Sequence, residues 1–136
     1  MNRLSGHIAA IAVEGSIALV DVAVGTRLYT AMLLGAGADD QVWRPGAAVT
    51  LVFKETEVAL ARNLSGAISL RNRLQGIVSA IEKGRLLSRV IFTVDGMPVS
   101  SVITTRSLDG LQLEVGAAVE GLVKSNEMSV VLEGGV

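Results

Sequence analysis

The chain has 136 residues, twelve Lys and Arg against thirteen Asp and Glu, half its residues apolar, 3% aromatic, fifteen glycines, one histidine and no cysteine. A formal net charge of −1 gives no footprint for nucleic acid or anionic lipid, and the missing cysteines exclude disulfides, thiolate metal sites and thiol catalysis. The lone His7 leaves too few ligands for a transition-metal site or a Ser-His-Asp triad.

The longest apolar run, Ile8–Val13, is far short of the roughly 18 residues a spanning helix needs. The N-terminus has no basic segment followed by an apolar stretch. The expectation is a soluble, cytoplasmic chain with no membrane insertion.

The chain repeats itself. Sliding it by about seventy residues lays Asn2–Ile11 over Asn72–Ile81 with six of ten positions identical, Gly46-Ala47-Ala48-Val49 over Gly116-Ala117-Ala118-Val119, and Lys54 and Glu57 over Lys124 and Glu127. Self-similarity of this length defines the structural unit, so the chain divides into residues 1–66 and residues 67–136, two copies of one plan.

In chain order, the first copy follows the plan with Pro45-Gly46 turning into its fourth strand. The second copy predicts strands at about 67–81, 86–94, 99–104, 119–124 and 128–132, from β-branched residues, period-two stretches such as Ser88–Phe92, and breaks at Lys83-Gly84, Asp95-Gly96 and Ser125-Asn126-Glu127. Asp95-Gly96 is a hairpin signal. Thr105–Asp109, preceded by Thr104 and followed by Gly110, predicts a short helical turn. The fold class is therefore all-β: two tandem five-stranded OB-like small barrels, each with one short helical turn. Units of this size bury little surface alone, so a homo-oligomer is expected.

Gly15, Gly84, Gly46 and Gly116 read as turn or close-approach positions, Trp43 as a cap over a barrel end, and His7 as an ordinary packing or surface residue. Asp39-Asp40 reads as a solvated turn. No nucleophile sits with an identifiable base and no nucleotide-binding loop is present, so no enzymatic role is expected.

The densest polar cluster lies in the second copy: Ser69, Arg71 and Asn72 in the predicted first strand, Thr104 and Ser107 about the helical turn, and Lys124-Ser125 after the fourth strand. Two cations, several hydroxyls and no carboxylate form an inventory for an oxyanion. Arg forks onto two oxygens, Lys supplies a point charge, and hydroxyls fill the remaining lone pairs. The helix start adds partial positive charge.

The run Ser69-Leu70-Arg71-Asn72-Arg73-Leu74-Gln75-Gly76, with Ile81–Gly84, Val102–Ser107 and Val123-Lys124-Ser125, resembles the molybdate-binding Mop repeat of the Mop/TOBE family. The duplication is similar to the tandem di-Mop arrangement of molbindins and of the sensor half of molybdate-responsive transcription regulators. The resemblance implies OB-like barrels that assemble with others and bind molybdate or tungstate through Ser69, Arg71, Thr104, Ser107, Lys124 and Ser125. Such a site recognises oxygens and ligates no metal directly. It also implies intracellular storage, buffering or homeostasis of the oxyanion. The alternative is a sensing module derived from a transcription regulator or from the accessory domain of a molybdate transporter ATPase, with no nucleic-acid contact by this chain alone.

The first copy departs from the pattern. Met1 falls at the place of Arg71, Glu55 at that of Ser125, and Gly35 and Ala38 near those of Thr104 and Ser107. A carboxylate beside Lys54 would repel a dianion, so the first copy is expected to carry a degenerate site. Asn72, Arg62 of the Ala61–Gly66 stretch, and Lys54 are additional candidates.

Overall fold

The computed structural model describes residues 1–35 and 42–133. Among the described residues ten strands form: β1 (Asn2–Glu14), β2 (Ile17–Val24), β3 (Arg27–Leu34), β4 (Ala48–Phe53), β5 (Ala59–Ala61), β6 (Asn72–Lys83), β7 (Leu87–Val94), β8 (Met97–Thr104), β9 (Ala118–Val123) and β10 (Ser129–Leu132). One helix, α1 (Thr105–Gly110), follows β8, and 3-10 turns Glu55–Glu57 and Ser125–Glu127 follow β4 and β9. The chain is all-β, with two five-stranded sheets of the small-barrel type. The helical turn and Ala38 and Asp39-Asp40 of the first copy lie outside the described residues.

Apolar alternation explains the strands. In β7, Val90, Phe92 and Val94 point inward and are wholly buried, and in β2 Val20, Val22 and Val24 do the same. The copies share burial even where residues differ: Tyr29, Thr30 and Ala31 in β3 and Val99, Ser100 and Ser101 in β8 are the buried triplets. Asp95 and Gly96 both take positive φ, 49° and 82°, and close the predicted hairpin between β7 and β8. Gly15, Gly46 and Gly116 also take positive φ, while a Cβ on Gly84 would run into the Leu87 carbonyl oxygen. His7 is exposed and Trp43 half-buried.

Strand order departs from a barrel made by each copy alone. The sheets run β10-β4-β1-β2-β3 and β5-β9-β6-β7-β8, so the fifth strand of each copy pairs with the fourth strand of the other, β10 on β4 and β5 on β9. The compact units are accordingly unit I, Met1–Asn2 with Lys54–Val123, and unit II, Arg3–Phe53 with the chain from Lys124 on. The sequence repeat ends at 66, whereas the chain passes between units just before Lys54 and just before Lys124. Two residues, Lys54 and Lys124, thus open the corresponding 3-10 turns, which leaves each fifth strand downstream of a crossover.

The first strand of the second copy starts at Asn72, not near Ala67. Its partner β9 ends at Val123, opposite Asn72, so earlier residues have no ladder to join. Ser69 and Arg71 therefore precede the strand. β6 bulges between Val78 and Ala80 against β7, as β1 bulges between Ile8 and Ala10 against β2. A Cβ on Gly76 beside this bulge would collide with the Thr93 carbonyl oxygen.

Candidate functional site

The eight-residue run from Ser69 to Gly76 divides by what its residues touch. Asn72 and Leu74 are wholly buried and Gly76 admits the neighbouring strand, so these three build the sheet. Ser69 and Arg71 are exposed. The place of Asn72 is explained by its counterpart Asn2, 5% exposed. Asn2 Nδ2 donates to the Ser100 carbonyl at 2.8 Å, and the Ser100 N–H donates to Asn2 Oδ1 at 2.8 Å. The side-chain amide acts as a rung of sheet, which puts Asn72 on the scaffold side of the motif.

Asn72 and Val123 form a register pair. Arg71 precedes that rung along its chain and Lys124 follows it. Both are exposed, and among the described residues neither side chain makes a hydrogen bond or ion pair, nor do those of Ser69 and Ser125. Three other cations of the second copy are engaged. Arg73 forks onto Glu120 at 2.6 and 2.9 Å, Lys83 meets Asp109 at 2.9 Å, and Arg89 meets Glu55 at 2.8 Å and Glu82 at 3.2 Å. Arg85 and Arg106 are exposed and also carry no pair among the described residues.

Thr104 and Ser107 are brought together. Thr104 caps α1 by accepting the Ser107 N–H at 3.1 Å, and its hydroxyl donates to Ser107 Oγ at 2.8 Å. The Ser107 hydroxyl proton then remains available for an outside acceptor. Thr105 anchors this turn: it is buried, shares a hydrogen bond of 2.7 Å with Ser88, and donates to the Gly84 carbonyl at 2.8 Å. Ser107 also lines a cavity of about 440 Å³ with Leu60, Ile103 and Leu111, a mostly aliphatic wall.

By unit, Ser69, Arg71, Thr104 and Ser107 belong to unit I and Lys124 and Ser125 to unit II. Arg62 spends one guanidinium nitrogen on the carbonyls of Leu111 and Gln112, at 3.1 and 2.6 Å, tying the stretch after β5 to the end of α1. Lys54 is exposed and without a partner among the described residues. Gly35 takes φ 73° and donates to the Ser16 carbonyl.

Two ionic groupings have no counterpart in the sequence reading. The Arg73 pair borders a unit I cleft of about 560 Å³ that Asn63, Gln75, Asp95 and Glu120 also line. The Arg73 guanidinium holds Glu120 below its ordinary carboxyl range, and Glu120 raises Arg73 in turn. Two carboxylates and a neutralised arginine make this cleft a poor anion site. The second grouping is Arg89 with Glu55. The copies contain the signal for it, since Leu19 stands opposite Arg89 and Ser125 opposite Glu55 in the repeat, a reciprocal change of charge.

Among the described residues no cluster of three or more His, Cys, Asp or Glu could hold a metal ion, and no helix is long and apolar enough to cross a membrane.

Residues 68–130 match the TOBE domain family model. Over 65 residues the chain is 31% identical to molybdenum-pterin-binding protein 3 of Clostridium pasteurianum, covering 47% of this chain and 96% of that protein. It is 37% identical over 78 residues to the molybdenum import ATP-binding protein ModC of Brucella abortus, covering 57% of this chain but only 22% of that protein. A crystal structure of the cytoplasmic molybdate-binding protein ModG with molybdate bound superposes with TM-score 0.89 at 26% identity, covering 95% of this chain and 94% of that one.

Proposed function

This chain belongs to the TOBE-domain family of molybdenum-pterin-binding proteins, and from that premise we propose that it binds molybdate or tungstate in the cytoplasm, for storage, buffering or homeostasis of the oxyanion. It acts as a binding protein and not as an enzyme, and it assembles with further copies of itself. One observation carries the assignment: Arg71, next before Asn72, and Lys124, next after Val123, are exposed and, among the described residues, unpaired, while Arg73, Lys83 and Arg89 are tied to carboxylates.

Unpaired cations cost nothing to expose to water and lose no protein partner when an anion arrives. In this reading Arg71 and Lys124 grip oxyanion oxygens by charge-assisted hydrogen bonds. Ser69, Ser125 and the free proton of Ser107 complete the donor set, and Thr104 holds Ser107 in place. Because the anion brings its own oxo shell, no Cys or His is needed. Sulfate is also a tetrahedral dianion, so selectivity rests on cavity size and the longer metal–oxygen bonds of molybdate.

The storage reading is supported by the superposition on the cytoplasmic molybdate-binding protein ModG, which aligns 95% of this chain with 94% of that one. Isothermal calorimetry with molybdate, tungstate and sulfate tests the assignment. Saturable binding of the first two with weaker sulfate binding is expected, and equal binding of all three, or none, overturns it.

A further inference from the structure

In unit I the place of Ser125 is taken by Glu55, and this carboxylate is not idle. It accepts from Arg89 Nε at 2.9 Å and Nη2 at 2.8 Å. Arg89 Nη2 also reaches Ser100 Oγ at 3.2 Å, and Nη1 reaches Glu82 at 3.2 Å. Lys54 precedes Glu55 in the chain and carries no ion pair among the described residues. The Arg89 guanidinium, the Met1 α-ammonium and the Ser100 hydroxyl all hold Glu55 below its ordinary carboxyl range. All these residues belong to unit I.

The same places in unit II are chemically inverted. Ser125 replaces Glu55 and Leu19 replaces Arg89, and Thr30, at the place of Ser100, donates to Asp21 at 2.7 Å. Unit I therefore holds both a carboxylate and the arginine it binds, and unit II holds neither at the same places. A tethered carboxylate forked onto Arg89, at the place where the other copy has the proposed donor Ser125, is what a bound anion would otherwise supply.

We propose that Glu55 is a built-in surrogate for the oxyanion: its carboxylate occupies the Arg89 guanidinium of unit I and closes that place to free tetrahedral dianions, so that the first copy contributes a latent rather than an open site. The proposal rests on the oxyanion-binding reading of the chain. A tethered carboxylate competes at an effective concentration no free ligand in a cell reaches, and it neutralises Arg89 as well as repelling a second anion.

The test counts molybdate per chain by equilibrium dialysis with elemental analysis, using the whole chain. Glu55→Ser, which copies the second repeat, is expected to bind one more anion per chain than the parent protein, and Glu55→Gln guards against a variant that fails to fold. Adding Arg89→Leu to Glu55→Ser is expected to abolish the gained site. Glu57→Gln makes the same charge change on the same turn and should leave the count unaltered. If both folded Glu55 variants bind the parental number of anions, the surrogate role is overturned while the binding function stands. If the parent protein and every variant bind none, both fall; a parent that binds none beside a Glu55→Ser that binds one upholds the surrogate and overturns only the parental binding function.

Discussion

Units I and II bury the same strand positions but solve their interiors and their charges differently. In unit I, Phe92 lies over Gly121, where a Cβ would come within 2.7 Å of the ring. In unit II the corresponding pair is Val22 with Leu51, both fully buried. One unit sets a ring over a glycine, and the other has two aliphatic side chains at the matching places, a change of shape at equal burial. The charged groups follow no such conservation, since the Glu55–Arg89 and Glu120–Arg73 pairs exist only in unit I. The buried positions are thus the same in both units, while the side chains that fill them and the charges on the surface diverge.

The largest effect should come from breaking the packing half of that comparison. Phe92→Ala is expected to cost about 3–5 kcal/mol in urea denaturation, because the glycine opposite cannot fill the space. Val22→Ala removes less buried volume and should cost distinctly less. Phe92→Val combined with Gly121→Leu transplants the unit II solution and should recover most of the loss. Equal losses for the two alanine variants would show that the exchange of large and small residues is not what separates the interiors.

Next comes the charge half. In the proposed site, Arg71→Ala and Lys124→Ala would each remove a hydrogen bond to a charged group, about 1.5–3 kcal/mol, so molybdate affinity should fall roughly ten- to hundredfold by calorimetry. Arg85→Ala, an equally exposed cation away from the motif, is the control and should change affinity little. A fall of the same size for Arg85 would mean that general charge and not these residues attracts the anion.

A loss near 1–3 kcal/mol is expected for Asn2→Ala, measured by thermal unfolding, since it strands the buried N–H and carbonyl of Ser100. Asn2→Asp keeps only the acceptor and should recover part of it at most.

Much of this was legible in the sequence because duplication writes each structural demand twice. Asn2 and Asn72, Leu4 and Leu74, and Gly6 and Gly76 recur because each pair builds the same piece of sheet, and Asp95-Gly96 announced its hairpin by residue chemistry alone. The exchange of β5 and β10 was not legible. A strand of three or four residues has the same pattern whichever sheet edge it joins, and connectivity is decided by the 3-10 turns at Lys54 and Lys124. Within the Ser69–Gly76 run, composition could not separate the sheet-building Asn72 from the exposed Arg71, since that depends on where β9 ends. The Glu55–Arg89 pair was visible only as half of itself: Glu55 stood out beside Lys54, while its partner lay 34 residues away on β7.

The smallest effect separates the units by acid. Glu55 and Glu120 are held below their ordinary value of 4.5, each first by the hydrogen bond from its arginine and then by that arginine's charge. A depressed carboxyl pKa contributes stability that is fully present above the unfolded value and is lost as pH falls through the folded one. Acidification from neutrality to below 4.5 should therefore weaken unit I through these pairs. The matching places of unit II, Ser125 with Leu19 and Thr50 with Arg3, hold no such pair. Both pairs are partly open to solvent, with Arg73 and Arg89 side chains 35% and 39% exposed, so screening by water and salt keeps the effect modest. Hydrogen exchange resolved by peptide should show protection in β6–β9 falling before that in β1–β4 as pH drops, after correction for intrinsic exchange rates. Glu55→Gln with Glu120→Gln should remove the difference in pH response. If the gap between units survives that double substitution, its origin lies in groups other than these two carboxylates.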